Sequence, residues 1–134
     1  ITPNPQFTDS EKNMVYFSCG YLAHKLNEHG VNVIIDSVDG KGEGRSVARQ
    51  LIENFYVISI DCPLETCIHR ERERVDKAAI ENLYERALMG QIRIAGVGYP
   101  YAEEKNPILR LDSDELSVED AAKKIYDEVI SRAE

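Results

Sequence analysis

Positive charge is scarce in this sequence. Lys and Arg number 16 against 24 Asp and Glu in 134 residues, for a formal net charge of -8. A phosphate backbone is bound by excess cations, so this balance argues against nucleic acid as a partner. An acidic chain can still bind a small anion where its few cations converge. Long apolar runs are also lacking: nothing approaches the roughly 20 residues that a membrane helix requires, and no charged start leads into a secretory signal. Cysteine is limited to Cys19, Cys62 and Cys67. That count is odd, the spacing fits no zinc site, and the expectation is reduced thiols in a cytoplasmic protein. No Met precedes Ile1-Thr2-Pro3, and the chain is expected to be cut from something longer. Repeats and low-complexity linkers are absent. What remains is 43% hydrophobic and 30% charged, the composition of an ordinary soluble globular domain.

Helical and strand-like patterns alternate along it. Thr8-Asp9-Ser10-Glu11 is a capping box, in which the Thr8 hydroxyl accepts an early amide hydrogen and Glu11 reaches back. Val15, Cys19, Leu22 and Leu26 then recur on one helical face, and Gly30 supplies a left-handed stop. The β-branched run Val31 to Asp36 reads as a buried strand. After Gly40, Gly42 and Gly44, Arg45 to Glu53 reads as a helix. Phe55 to Ile60 reads as a second strand, Pro63 opens a helix over Glu65 to Arg74, and another runs from about Asp76 to Gly90. Ile108 to Asp112 is a third strand, and Ser117 opens a last helix with a stripe of Val118, Ala121, Ala122, Ile125 and Val129. Alternation of this kind predicts an α/β fold: a parallel sheet with helices on both faces.

Four segments carry candidate chemistry. Asp36 ends an apolar run, the position where open α/β sheets bind ligands and where an Asp can help hold Mg²⁺ on phosphates; it can equally cap the next turn. The run Arg70-Glu71-Arg72-Glu73-Arg74, with Lys77 nearby, can be a cationic lid over a transferring phosphoryl group, or a solvated helix of surface ion pairs. Gly40-Lys41-Gly42-Glu43-Gly44-Arg45 is either an anion-facing turn or a flexible connector. It is not a G-x-x-x-x-G-K-[ST] loop, which occurs nowhere in the chain. Gly98-Tyr99-Pro100-Tyr101 reads as a rigid aromatic turn. His24, His29 and His69 share no spacing with a metal site or a catalytic dyad.

Taken in order, Asp61-Cys62-Pro63-Leu64-Glu65-Thr66-Cys67, Leu83-Tyr84, Gly90-Gln91-Ile92, Gly96-Val97-Gly98-Tyr99-Pro100-Tyr101 and Glu104-Lys105-Asn106-Pro107 resemble the adenylylsulfate kinase family. The resemblance runs from about Phe7 to the final helix. It implies a P-loop NTPase-like kinase fold with its N-terminal strands missing here, and a single kinase-like domain over 1–134 with a lid at about 70–95. It also implies ATP and Mg²⁺ as cofactors, and transfer of the γ-phosphoryl group of ATP to the 3′-hydroxyl of adenylylsulfate in sulfate activation. Phe7, Asn13, Val38, Asp39 and Arg45 resemble substrate-binding positions, and Arg70, Arg72, Arg74 and Lys77 fall at the ATP side and lid. Asp36 is the expected metal ligand, and no catalytic residue is assigned. A homodimer is in keeping with the resemblance, whereas nucleic acid and membrane partners are not. Ile94 stands where the family has a base-stacking Phe, Asp39 where it has a Ser, and the lid is longer than the family's. Ile94 and Asp39 favour another small hydroxylated acceptor, and the lack of a Walker A loop leaves a non-catalytic nucleotide-binding domain as a third reading.

The strand preceding a Walker A loop is central in the family, between those corresponding to 31–36 and 55–60. An upstream segment or a partner chain is therefore expected to supply it. The full reading frame checks this: a G-x-x-x-x-G-K-[ST] sequence is expected ahead of residue 1, and a native start at Ile1 with a monomeric folded product would overturn it.

Overall fold

A computed structural model describes residues 8–75 and 81–133. Two units, Ile1–Phe55 and Tyr56–Glu134, each make their contacts mainly within themselves.

The first unit is a helix pair. Helix α1 (Asp9–Asn27) starts at the expected capping box: Glu11 N donates to Thr8 Oγ1 at 3.3 Å, and Thr8 N donates to Glu11 Oε2 at 3.0 Å. It ends where Gly30 takes φ 76, the conformation that glycine reaches without a Cβ clash. Helix α2 (Glu43–Leu51) begins two residues earlier than its apolar pattern suggests, because Gly42 turns the chain at φ 76. The helices meet through small residues. Gly20 of α1 faces Ala48 of α2, Gly44 of α2 lies against Tyr16, and Ala23, Ala48 and Ile52 form a core with Phe55 against it. The larger apolar residues of α1 lie elsewhere: Val15, Leu22 and Leu26 stay exposed. Backbone approach, rather than the width of an apolar stripe, selects the buried face.

The expected strand at 31–36 is absent. The segment joins α1 to α2 without entering any ladder among the described residues, and Ile34 is 94% exposed. Its β-branched composition favours extended backbone, yet a strand exists only where a neighbour accepts its hydrogen bonds.

The second unit is built on two parallel strands, β1 (Ile58–Asp61) and β4 (Leu109–Asp112), paired from Ile58↔Leu109 to Asp61↔Asp112. Ile108 N to Val57 O and Ser113 N to Asp61 O, both 2.9 Å, extend the ladder at each end. Between them lie α3 (Leu64–Glu73), α4 (Leu83–Leu88) and the two-residue strands β2 (Ile94–Ala95) and β3 (Gly98–Tyr99). Helix α5 (Val118–Ala133) follows β4. Helix α4 is shorter than the helix expected from Asp76 to Gly90, of which residues 76–80 lie outside the described residues. Of the apolar stripe on α5, Ala121, Ile125 and Val129 are half-buried, while Val118 is exposed.

The α1–α2 contact gives a paired prediction. A Cβ at Gly44 would sit 2.8 Å from Tyr16 Cβ, an atom fixed to the backbone of α1, whereas one at Gly20 would meet Ala48 Cβ at an ordinary 3.7 Å. Gly44→Ala is expected to lower unfolding stability by about 1–3 kcal/mol through overpacking. Gly20→Ala is expected to be neutral or to stabilise α1 by up to about 1 kcal/mol. Urea denaturation of both variants checks the contrast.

Candidate functional site

In the first unit, the start of α2 is organised around Asp39. This residue adopts φ 37, in the left-handed region that Asp tolerates better than most side chains, and only 3% of it is exposed. One carboxylate oxygen accepts Gly44 N at 3.0 Å and the other accepts Arg45 N at 2.8 Å. These are early amides of α2 that have no acceptor within the helix. Arg45 also turns back on the same residue, with Nη1 3.3 Å from Asp39 O and 3.7 Å from its carboxylate. Asp39 and Arg45, both expected at the substrate site, are thus brought together as a buried, charge-matched cap.

The remaining expected residues of this unit lie nearer solvent. Asp36 and Val38 are exposed on the segment leading into the cap. Asn13 is half-buried on α1, where it lines an open groove with Ser10, Met14, Phe17 and Ser18. Phe7 lies outside the described residues. No group of three or more His, Cys, Asp or Glu able to hold a metal occurs among the described residues. Mg²⁺, however, commonly takes only one or two protein carboxylates and completes its shell with water and substrate phosphates. Asp36 offers one exposed carboxylate for such a role, but without the strand end that the sequence pattern placed beneath it.

In the second unit, the carboxyl ends of β1 and β4 place Cys62 and Ser113 side by side, just beyond Asp61 and Asp112. Arg70, on the last turns of α3, reaches this edge. Its Nη2 donates to Ser113 O at 2.7 Å, while Nη1 donates to Ser113 Oγ at 3.2 Å and faces Cys62 Sγ at 3.6 Å. Arg72 binds Glu85 at 3.0 Å and so ties α3 to α4. Arg74 caps the C-terminus of α3 and is exposed. Lys77 lies outside the described residues. The charged run thus divides: Arg70 grips the strand edge and Arg72 bridges two helices.

Three features escaped the reading of the sequence. Ser113 anchors Arg70, and parallel pairing of the two strands was the signal that could have shown it. Arg110 donates to Asp61 Oδ2 at 2.8 Å and to Glu104 O at 3.0 Å, fixing the Glu104-Lys105-Asn106-Pro107 segment against β4. The hydrogen bond from Arg110, aided by that from Ser59, holds the Asp61 carboxyl below its ordinary range. Beside α3, burial pushes the Tyr84 hydroxyl up to about 12, with the Cys67 thiol adding to the effect.

A sequence model of the adenylylsulphate kinase family matches residues 1–112. The chain belongs to the adenylylsulphate kinase family. The adenylyl-sulfate kinase of Deinococcus deserti is 29% identical over 122 residues, covering 90% of this chain and 63% of that protein. The probable adenylyl-sulfate kinase of Halalkalibacterium halodurans is 30% identical over 123 residues, covering 90% and 57%. The solved Mycobacterium tuberculosis APS kinase in complex with AMPPNP and APS superposes with a TM-score of 0.76 at 25% identity, covering 92% of this chain and 69% of that one. The fold is therefore the α/β, P-loop NTPase-like fold of the APS kinases. The chain spans about three fifths of the length of these two curated relatives. No helix among the described residues is long and apolar enough to cross a membrane.

Two predictions follow from this geometry. Asp39→Ala leaves the buried Gly44 amide without its acceptor and is expected to cost about 1–3 kcal/mol. Asp39→Asn keeps one acceptor oxygen and the tolerance for positive φ, so it should cost less; chemical denaturation compares the two. The second concerns acid. The Asp61 carboxyl is depressed in the folded state, so the stability it contributes is present above the unfolded carboxylate range and is lost as pH falls through the lower folded value. Arg110→Leu should flatten the fall of Tm below about pH 4 and leave its slope near neutrality unchanged.

Proposed function

We propose that this chain carries the acceptor and lid portions of an ATP-dependent kinase that phosphorylates the 3′-hydroxyl of adenylylsulfate. The observation that carries the reading is the family match over residues 1–112, and the structural likeness to a kinase solved with AMPPNP and APS supports it. In this reading the acceptor hydroxyl oxygen attacks the γ-phosphorus of ATP and releases its proton to solvent, the γ-phosphorus bond to the β,γ-bridging oxygen breaks, and ADP leaves. Phosphoryl transfer of this kind asks the protein mainly for positioning and for charges that match the transition state. Phe7, Asn13, Val38, Asp39 and Arg45 serve the acceptor. Arg70, Arg72, Arg74 and Lys77 belong to the segment that closes over ATP and excludes water. Asp36 is the carboxylate for Mg²⁺, which neutralises phosphate charge when bound. The chain itself contains no Walker A sequence. Its three free thiols suit a reducing compartment such as the cytoplasm.

Asp39 favours a second reading, in which the acceptor is another small hydroxylated compound. Its carboxylate is held by two amides at the start of α2 and faces the Arg45 guanidinium, so two of the positions that resemble substrate contacts are engaged with each other. Ile94 removes a stacking ring, a contact worth roughly 1–3 kcal/mol in base–aromatic pairs.

Coupled ADP-release assays on the protein from its full reading frame test both. Adenylylsulfate is expected to stimulate turnover, and Arg45→Ala is expected to raise the KM for the acceptor more than it lowers kcat. Stimulation by other hydroxyl compounds but not by adenylylsulfate would establish the second reading in place of the first. Absence of turnover with every acceptor would reduce the chain to a nucleotide-binding module.

A further inference from the structure

Cys62 and Cys67 converge at the edge where β1 passes into α3. Cys62 lies in the two-residue connection and Cys67 on the first turn of the helix, and both are half-buried free thiols. Cys67 Sγ donates to Cys62 O at 4.0 Å, which puts the two residues in contact across the start of α3. Their surroundings differ. Cys62 Sγ faces the Arg70 guanidinium at 3.6 Å, whereas burial pushes the Cys67 thiol up, opposed by a hydrogen bond with the Tyr84 hydroxyl. Cys19, in the other unit, has no second thiol there.

We propose that Cys62 and Cys67 form a redox-modification site that takes a small disulfide, such as oxidised glutathione, at Cys62 and closes to an intrachain disulfide. Negative charge on Cys62 sulfur is met by the Arg70 guanidinium as that sulfur attacks, the arrangement that reactive cysteines share. The attack breaks the glutathione S–S bond, forms a mixed disulfide at Cys62, and releases one glutathione thiol carrying the Cys62 proton. Cys67 then gives up its proton and attacks the Cys62 sulfur, so that the second glutathione leaves as a thiol. Two protein thiols are oxidised to one disulfide, and one glutathione disulfide is reduced to two thiols. The new bond draws Cys62 sulfur toward Cys67 and away from Arg70, which is left held by Ser113 alone at this edge. The inference stands whether the phosphoryl acceptor is adenylylsulfate or not.

The test needs no variant at first. No Lys or Arg lies between Gln50 and Cys67, so one tryptic peptide, 50–70, carries both thiols and another carries Cys19. After treatment with oxidised glutathione and quenching with iodoacetamide, peptide 50–70 is expected to lack two hydrogens and both alkyl groups, while Cys19 is alkylated. Dithiothreitol should reverse this. Cys67→Ser should trap glutathione on Cys62, and Arg70→Gln should slow that reaction several-fold. Alkylation of both Cys62 and Cys67 in the oxidised wild-type protein would overturn the proposal. So would trapping of glutathione on Cys19 in preference to Cys62 in Cys67→Ser.

Discussion

The parallel register of Ile58–Asp61 with Leu109–Asp112 is the constraint on which the second unit depends. It brings together residues about fifty positions apart in sequence. Each ladder hydrogen bond contributes only about 0.5–1.5 kcal/mol net, but the register does more than its energy suggests. A one-residue slip would turn every side chain of the slipped strand to the opposite face. The pairing of Arg110 with Asp61, the meeting of Cys62 with Ser113, and the reach of Arg70 from α3 all follow from that alignment.

The first unit solves a different problem. Its two helices approach through Gly20, Ala23, Gly44 and Ala48, so little apolar area is buried and close contact stands in for bulk. The Asp39 carboxylate completes the arrangement by accepting the early amides of α2 within a buried turn. A charge is tolerated there because two hydrogen bonds and the Arg45 guanidinium surround it.

Much of this was legible in the sequence where the signal was local. The Thr8–Glu11 box, the Gly30 stop, Pro63 ahead of α3 and the apolar run of β4 each carry their own physical cause and lie where the pattern places them, whereas β1 begins at Ile58 rather than Phe55. The family was legible as well, because several short motifs occur in a fixed order. Features set by partners were not. Val31 to Asp36 has the composition of a strand but enters no ladder among the described residues, since composition cannot provide a neighbour. The buried face of α1 followed glycine and alanine rather than Val15, Leu22 and Leu26. In the candidate site, Arg70 and Arg45 could be named from resemblance, but their partners Ser113 and Asp39 depend on register and on a left-handed turn.

Arg70 holds position 113 through two different kinds of acceptor, a hydroxyl and a main-chain carbonyl. The carbonyl is present whatever residue occupies 113, so half of that grip survives any replacement of the serine. No comparable redundancy protects the guanidinium end. Sequence drift across related chains should accordingly be freer at 113 than at 70, even though the two positions share one contact.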